Sequence, residues 1–456
     1  MYPCLLLSMA GLLLSPESDY AAGVAALRAK DAAAAEAALT RCVEAAPEHV
    51  ACHWELGWAY YLQRRWADAA RVWRRVKALD PQHPEVDRYL AEVEQQAALA
   101  ASLEEEAAEA PAPPPRAARD GERRLRIRAV GDVMLGTAFP PGHLPPQDGA
   151  KLLAAVRDLL ADADLTFVNL EGPLCDAGET KKCRQGGNCY AFRTPTRYGR
   201  YLAEAGVDLA STANNHAGDF GEACRRETEA TLDRLGIAWS GPPGTIASVE
   251  RNGLRVALVA FHTSPSCNWL NDEAAATRLV RRAARHHDIV IVSFHGGAEG
   301  KKALHVPRGR ELFYGEDRGD LRRFTHAVVD AGADLVLGHG PHVPRAMEIY
   351  RDRLIAYSLG NFATYGRFNL AGPLGLGLVL EVEMDASGRF VGGRIFSTKQ
   401  RGEGIPVPDP EQGAAHLVRR LSRLDFPETH VDVARDGTLL SPQTVERQRT
   451  PQVDTP

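Results

Sequence analysis

The segment at residues 125–136 reads LRIRAVGDVMLG, a short apolar run that passes directly into a glycine–aspartate pair. Four later segments repeat this plan, with a mostly apolar run followed at once by polar residues. They are LTFVNLEGP at 165–173, VDLASTANNHAGD at 207–219, IVIVSFHGGAE at 289–299 and DLVLGHGPH at 334–342. Amphipathic helical patterns separate the runs, and strands that alternate with helices predict an α/β sheet covered on its faces.

The strands predicted from these runs and from similar β-rich segments fall into an early and a late group. The early strands span residues 125–130, 165–168, 207–211, 255–261, 289–293 and 334–337. The late strands span residues 346–350, 354–358, 376–384 and 390–397.

The polar residues that follow the early strands are of the types that bind metal ions. Ligands of open α/β sheets gather beyond the carboxyl ends of the strands, so these residues should meet at one edge. Each one alone also fits a turn or a helix cap, but mixed oxygen and imidazole donors together suit a divalent cation. Leaving them buried and unpaired would cost about 1–3 kcal/mol each. The sequence therefore predicts a metal site among Asp132, Asn169, Glu171, Asn214, Asn215, His216, Asp219, His295, Glu299, His339 and His342.

Length and charge exclude other classes of protein. The chain has 456 residues, with 54 Lys and Arg against 59 Asp and Glu, a net charge of −5. No basic excess is present for a phosphate backbone, so we do not expect nucleic-acid binding. No run of 18 or more apolar residues occurs in the sequence, so we do not expect a membrane-spanning helix. The length predicts two or three folding units.

The first residues and the cysteines indicate the compartment in which the protein is found. Residues 5–14 form an apolar run with the length of a secretory signal core, so 1–16 are expected to be a signal segment and the protein to be exported. No basic stretch precedes this run, and a frayed first helix in a cytoplasmic protein is the alternative. In an exported chain, the cysteine-rich loop at 172–192 would be closed by one or two disulfides; in the cytosol its thiols would stay free. The cysteines of this region are Cys175, Cys183, Cys189, Cys224 and Cys267, whereas Cys42 and Cys52 are expected to be small buried apolar residues of helices.

Three further regions surround the predicted sheet. Residues 17–103 are rich in alanine and resemble two tetratricopeptide repeats with a closing helix, since Pro47 and Pro81 lie 34 residues apart. This small all-α unit is either a groove for a protein partner or a helical spacer. Residues 104–124 change to an acidic and then proline-rich composition, which predicts a linker. Residues 401–456 are expected to be an ancillary tail.

Six motifs of the central region, in this order and spacing, resemble the CapA family, which is named for capsular poly-γ-glutamate synthesis and is related to calcineurin-like metallophosphoesterases. They are GDVMLG, NLEGPL, ANNHAGDFG, HGGAE, GADLVLGHGPHV and YSLGNF. The resemblance covers residues 125–400. It implies a four-layer α/β/β/α sandwich with a divalent metal ion, Mn, Zn, Fe or Mg, at one edge.

The resemblance also implies roles for individual residues. It implies His216 as the histidine that protonates a leaving group or holds the substrate anion, and Glu299 as a base or an orienting residue. Arg318, in the insertion after His295, would grip an anionic substrate, although an ion pair with Glu316 or Asp320 fits it as well. The implied metal ligands are Asp132, Glu171, Asn215, His295, His339 and His342, and the implied substrate contacts are Asn169, Asn214, Asp219 and Arg318.

Two departures from the phosphoesterase pattern leave the chemistry open. Those enzymes have a histidine two residues after the first aspartate, in Asp-x-His, and this chain has Met134 there. Their last motif is Gly-His-x-His, whereas here both Gly340 and Pro341 lie between His339 and His342, one residue more. One-metal and two-metal sites both fit. The expected function is a metal-dependent hydrolase of the cell envelope that acts on a phosphoester or an amide; metal-assisted proton abstraction beside a carbonyl fits the same residues. The alternative is a non-catalytic assembly factor that binds an anionic envelope polymer.

Overall fold

The computed structural model describes residues 15–109, 123–180, 182 and 190–441. The chain divides into two compact units, Met1–Glu109 and Ala110–Pro456. The proposed signal core and most of the predicted linker lie outside the described residues. In the described ranges, none of the helices combines the length with the hydrophobicity that crossing a membrane requires.

The first unit has the helical-repeat architecture that the sequence predicts. Glycines allow its paired helices to approach closely, because a Cβ atom on Gly23 would overlap the Leu39 side chain and one on Gly57 would overlap the Trp73 indole. Trp73 is fully buried, and its Nε1 donates a hydrogen bond to the carbonyl of Trp54 at 3.1 Å. The helices are α1 Pro16–Arg28, α2 Ala32–Ala45, α3 Val50–Leu62, α4 Trp66–Leu79 and α5 Val86–Glu109.

Two expectations for this unit were wrong. Cys42 and Cys52 are buried, as expected, but they form a disulfide between α2 and α3. Helix α5 continues to Glu109, so the linker does not begin at residue 104. Glutamate and alanine both favour the helix, and the sequence EEEAAE therefore extends it beyond the last apolar residue.

The second unit contains nineteen strands in its described part. They are β1 Arg124–Met134, β2 Leu165–Leu170, β3 Leu209–Ser211, β4 Ala238–Ser240, β5 Ala247–Arg251, β6 Leu254–His262, β7 Asn268–Trp269, β8 Ile289–His295, β9 Leu312–Phe313, β10 Glu316–Asp317, β11 Leu335–His339, β12 Met347–Tyr350, β13 Arg353–Ala356, β14 Asn361–Thr364, β15 Leu376–Asp385, β16 Phe390–Arg401, β17 Ile405–Pro408, β18 Asp432–Val433 and β19 Thr438–Leu440. Each of the ten predicted strands overlaps one of these.

These strands form two large sheets and one short hairpin. The ten-stranded sheet has the order β18-β19-β16-β15-β1-β2-β3-β4, with β14 beside β1 and β17 beside β16. The seven-stranded sheet has the order β12-β13-β11-β8-β6-β5, with β7 beside β6, and β9 pairs with β10. One apolar cluster takes buried side chains from both large sheets, for example Phe167 and Leu380 from one and Leu258 and Leu337 from the other.

Helices cover apolar side chains of each large sheet. Leu160, Leu202 and Leu232 join a cluster with the ten-stranded sheet, and α9 and α10 pack on strands of the other. The high proportion of buried Val, Leu and Phe in β6, β8 and β11 reflects this cover, because parallel strands buried on both faces read as continuous apolar runs. The helices are α6 Arg157–Ala161, α7 Gly199–Glu204, α8 Gly221–Arg234, α9 Glu273–His286, α10 Leu321–Asp330 and α11 Gly413–Asp425.

The segment after residue 400 differs from the expectation of an ancillary tail. Its described part adds β17, β18 and β19 to the ten-stranded sheet. Ala414 and Val418 of α11, with Val431, belong to the apolar cluster between the sheets. Residues 405–440 therefore complete the core of the second unit.

Strand register brings the polar strand ends together. In the ten-stranded sheet, Asn169 of β2 is paired with Asp132 of β1 and with Ser211 of β3. In the other sheet, His295 of β8 is paired with His262 of β6 and with His339 of β11. Residues at one register of neighbouring parallel strands point to the same face, so each sheet presents a row of polar side chains.

Candidate metal centre

Asp132 is fully buried and belongs to a cluster of polar side chains at the strand ends, together with Asn169, Glu171, His295 and His342. Its backbone N–H donates to the carbonyl of Gly360 at 2.9 Å, which fixes the end of β1. Asn169 donates from Nδ2 to Asp132 Oδ1 at 2.8 Å. The Nδ1 atom of His342 lies 3.0 Å from Asp132 Oδ2, so the carboxylate has a partner on each oxygen.

His342 reaches the cluster from a loop with an unusual backbone. Its φ is +60°, in the left-handed region that few side chains other than glycine adopt. Gly340, two residues earlier, has a φ of +107°, and a Cβ atom there would lie 2.9 Å from the carbonyl oxygen of Gly296. Such conformations are retained where the surrounding structure fixes them, often at functional sites. The extra residue between the two histidines therefore belongs to a turn that directs the His342 ring back toward Asp132.

The carboxylate of Glu171 has no hydrogen bonds of its own to the described residues. It is fully buried, and neither carboxylate oxygen has a hydrogen-bond partner in the described part of the chain. Its Oε1 lies 3.7 Å from His342 Nε2 and 3.9 Å from the Nε2 atoms of both His216 and His295. These separations exceed hydrogen-bond length, so the side chains surround the carboxylate without bonding to it.

A divalent cation fits this arrangement. Ligand atoms of Asp132, Glu171 and His342 all lie within 4.8 Å of one another. Asn215 Oδ1 and His295 Nε2 are buried and also lack hydrogen-bond partners among the described residues. Buried polar atoms ordinarily have partners, and carboxylate, amide and imidazole donors are ligands for Mn, Zn or Fe. An ion bound between Asp132, Glu171 and His342 would satisfy the free oxygens of Glu171.

The pKa values of the cluster reflect its buried carboxylates. Burial raises the pKa of Glu171 well above its ordinary value, and the charges of Asp132 and Glu299 add to that effect. Burial would also raise the pKa of Asp132, but the neighbouring imidazoles of His339 and His342 outweigh it and lower that pKa. For His342, burial opposes the charged form, yet Glu171 and Asp132 raise its pKa to about 10. The site therefore favours positive charge at its centre.

His216 is oriented by a carboxylate. Its Nδ1 lies 2.7 Å from Asp219 Oδ2, and Lys182 Nζ lies 2.9 Å from Asp219 Oδ1. The Phe192 ring lies against His216, with 4.3 Å between ring centroids. Because Nδ1 is bound to Asp219, the Nε2 atom of His216 faces Glu171. Burial lowers the pKa of His216 although Asp219 opposes this, so the ring is neutral near pH 7.

Glu299 forms an ion pair with Arg318 and lies near His342. Its Oε1 is 3.0 Å from Arg318 Nη2, and its Oε2 is 3.9 Å from His342 Nε2. Arg318 is only 2% exposed, and its Nε donates to the carbonyl of Gly297 at 3.1 Å. Arg345, fully buried, binds Glu311 through two nitrogens at 2.9 Å and the carbonyl of Ala298 at 3.1 Å. Two buried arginines thus hold the loop that carries Glu299.

The structure brings most of the predicted residues to one place. The predicted ligands Asp132, Glu171, His295 and His342 surround a common centre. Fully buried His339 lies with Nδ1 3.5 Å from Asp132 Oδ1, and neither of its ring nitrogens has a hydrogen-bond partner within the described ranges.

The four residues expected to contact the substrate have hydrogen bonds or ion pairs within the chain. Asn169 binds Asp132, and Asn214 donates to the carbonyl of Leu170 while accepting from the backbone of His216. Asp219 binds His216 and Lys182. Arg318 is buried and pairs with Glu299 at 3.0 Å and, as expected, with Glu316 at 3.8 Å. These contacts position the side chains of Asp132, His216 and Glu299.

Two residues of the site are not among the predicted ligands or substrate contacts. Asn361, at the start of β14, is paired with Asp132 across parallel strands, and its Oδ1 lies 3.0 Å from His342 Nδ1. His262 ends β6 beside His295, with 5.6 Å between ring centroids. His262 carries the same signal as the other histidines, an imidazole at the end of an apolar strand, and could have been found by applying that rule to 255–261.

Comparisons with known proteins agree with this geometry. The family model for "Bacterial capsule synthesis protein PGA_cap" matches residues 126–365, more than half of the chain, and a tetratricopeptide-repeat model matches residues 26–93. The PGA biosynthesis protein CapA of Bacillus subtilis is 27% identical over 52% of this chain and 63% of its own length. The capsule biosynthesis protein CapA of Bacillus anthracis is 26% identical over 54% of this chain and 60% of its own.

A probable polyglutamine synthesis accessory protein of Mycobacterium tuberculosis is 28% identical over 43% of this chain and 55% of its own length. The chain thus spans less than two thirds of each of these relatives. With helical repeats in front of a domain that the family model matches from residue 126 to 365, this chain belongs to the CapA (PGA_cap) family of bacterial capsule synthesis proteins.

Proposed function

We propose that the chain is a metal-dependent hydrolase of the cell envelope that cleaves a phosphoester or an amide during synthesis of a capsule or polyglutamate-type polymer. The polymer class rests on the names of the relatives, which describe capsule and polyglutamate synthesis. The hydrolase assignment rests on one observation, the fully buried Glu171 carboxylate without a hydrogen-bond partner at the centre of metal-binding side chains.

We also propose the layer arrangement that goes with this chemistry. The apolar cluster shared by the two large sheets, and the helices packed on each of them, support an α/β/β/α sandwich of the metallophosphoesterase type. In such an arrangement, the two rows of polar strand ends face one cleft. One row carries Asp132 and Asn169, and the other carries His295 and His339.

The ligands of the ion are proposed to be Asp132, Glu171, Asn215, His295, His339 and His342. A bound divalent ion would acidify a water molecule and polarise a phosphoryl or acyl oxygen. His216 would take up a proton at Nε2 and pass it to the leaving group, since Asp219 accepts from Nδ1, orients the ring and stabilises its charged form. Glu299, held by Arg318, would accept a proton or fix the position of His342.

A non-catalytic assembly factor remains the second candidate, and a specific observation favours it. Met134, in the place of the phosphoesterase histidine, is fully buried and carries no ligand suited to a hard cation. A cluster with fewer ligands can bind an anionic polymer without cleaving it. In that case the repeats would dock the chain on a protein partner of the synthesis machinery.

Metal content and turnover together test both candidates. The full chain would be purified, its metals quantified, and phosphoester and γ-glutamyl substrates screened with Mn²⁺ or Zn²⁺. Asp132→Ala should lower metal content and turnover, whereas His216→Ala should abolish turnover and leave metal content unchanged. Turnover that survives both changes would contradict the hydrolase; bound metal without turnover on any substrate would favour the assembly factor.

We also propose that the protein is exported. The Cys42–Cys52 and Cys175–Cys224 disulfides support this, because such bonds persist in oxidising compartments and are rare in the cytosol. Cys175 belongs to the cysteine-rich loop, whereas Cys183 and Cys189 lie outside the described residues. Fractionation of cells that express the full chain, followed by thiol titration of the denatured, unreduced protein, tests the proposal. Free thiols at Cys175 and Cys224 would contradict it.

A further inference from the structure

His262 occupies the same position in its strand as two of the proposed metal ligands. It is paired in register with His295, which is paired in turn with His339. The three imidazoles therefore lie side by side on one face at the ends of adjacent parallel strands. His262 is 5% exposed and is therefore buried rather than on the outer surface.

The hydrogen bonds of His262 determine which of its nitrogens carries the proton. The backbone N–H of Ser264 donates to Nδ1 at 3.1 Å, so Nδ1 holds a lone pair and the neutral ring carries its proton on Nε2. A metal-binding histidine has the reverse arrangement, because its second nitrogen donates a proton while the first binds the ion. His262 is therefore suited to donate a hydrogen bond rather than to bind the metal.

The Nε2 donor of His262 has little to bind within the chain. In the part of the chain that the structure describes, its one hydrogen-bond contact is Thr263 Oγ1 at 3.4 Å, long for a buried donor. Arg318, Lys182 and Arg225 are among the charged groups that act on His262, and all three are positive. A buried donor in basic surroundings beside a cation site fits an anionic oxygen.

We propose that His262 is the hydrogen-bond donor of an anion subsite, which holds a carboxylate or phosphate oxygen of the substrate beside the metal centre. This inference deepens the proposed hydrolase function and rests on it. His216 and His262 then have opposite tautomers. His216 presents an unprotonated Nε2, because its Nδ1 proton is bound by Asp219. His262 presents a protonated Nε2, because its Nδ1 accepts from Ser264.

Two substitutions separate the donor from the structural role of the ring. His262→Asn places an amide oxygen near the position of Nδ1, so it keeps the bond from Ser264 and removes the donor at Nε2. His262→Gln can place an amide N–H near the position of Nε2, so it keeps the donor. Melting curves and Mn²⁺ titrations would establish that both variants fold and bind metal like the parent chain.

The readout is the binding of inorganic phosphate and, separately, of glutarate to the full chain by calorimetry, with and without Mn²⁺. We expect His262→Asn to weaken binding of the preferred anion about tenfold or more, the effect of losing one hydrogen bond to a charged group. His262→Gln should retain most of the affinity. The preferred probe identifies the anion as phosphate or carboxylate.

Three results would overturn the inference: neither anion binds the parent chain, both variants bind like the parent, or both lose affinity equally. If Mn²⁺ does not bind, the proposed hydrolase fails, but the titration without metal still tests the subsite. If Mn²⁺ binds normally and His262→Asn has no effect on anion binding, only the subsite fails.

Discussion

Replacing Glu171 by glutamine should stabilise the metal-free protein while removing its response to metal. The wild-type carboxylate is buried without a hydrogen-bond partner and faces the charges of Asp132 and Glu299. Its raised pKa is the net result after the attraction of His342 has been included. The charged side chain therefore opposes folding, and a neutral amide of the same shape relieves that cost.

The size of the effect follows from the buried group. An unsatisfied buried polar group costs about 1–3 kcal/mol and a charged one more; the amide removes this extra cost of the charge, which is of similar size, about 1–3 kcal/mol. With an unfolding entropy of about 2.1 cal/mol/K per residue over about 300 residues, this corresponds to a rise in melting temperature of about 2–5 °C. The rise should grow with pH. Because the folded-state pKa of Glu171 is raised, the stability it contributes below its unfolded pKa of about 4.5 is lost as the pH increases.

The assay is calorimetric melting of the full chain in EDTA and in Mn²⁺ at pH 5 and pH 8. The matched control is Glu348→Gln, because Glu348 is also buried but accepts hydrogen bonds from Tyr357 at 2.7 Å and Thr429 at 2.8 Å. That control should lower the melting temperature and keep the metal response. If Glu171→Gln also lowers the melting temperature and still responds to Mn²⁺, Glu171 is not a metal ligand and the reasoning is refuted.

Three further predictions concern the metal, a disulfide and the repeats. Mn²⁺ at 100 times its dissociation constant should stabilise the chain by about 2.7 kcal/mol, reversibly with EDTA, and an unchanged melting curve would contradict a metal site. Replacing both Cys175 and Cys224 by serine removes a disulfide that spans 49 residues. The free energy of unfolding, measured by denaturant titration, should fall by about 4 kcal/mol. A fall of less than about 1 kcal/mol would show that the disulfide does not restrain the unfolded chain. Gly57→Ala should destabilise the helical unit by about 1–3 kcal/mol, since its Cβ atom would overlap the Trp73 indole, whereas Ala67→Ser on the exposed side of α4 should have little effect in the same melting experiment.

The sequence by itself determined the order of the elements and the chemistry of their ends. Apolar runs predicted the strands, because a strand buried on both faces must be apolar throughout, and the polar residues after them predicted a metal site. The 34-residue spacing of Pro47 and Pro81 predicted the repeats. These features are local, since each depends on residues close together along the chain.

Tertiary structure decided everything that depends on residues far apart in the sequence. Cys42 looked like a small core residue until the packing of two helices placed it against Cys52. Asp219 and Arg318 looked available to a substrate until folding supplied His216 and Glu299 as their partners. Asn361 lies 229 residues after Asp132, and only the pairing of β14 with β1 brings the two together. Whether a polar side chain is free for function depends on which groups the fold places around it, and composition and spacing do not contain that information.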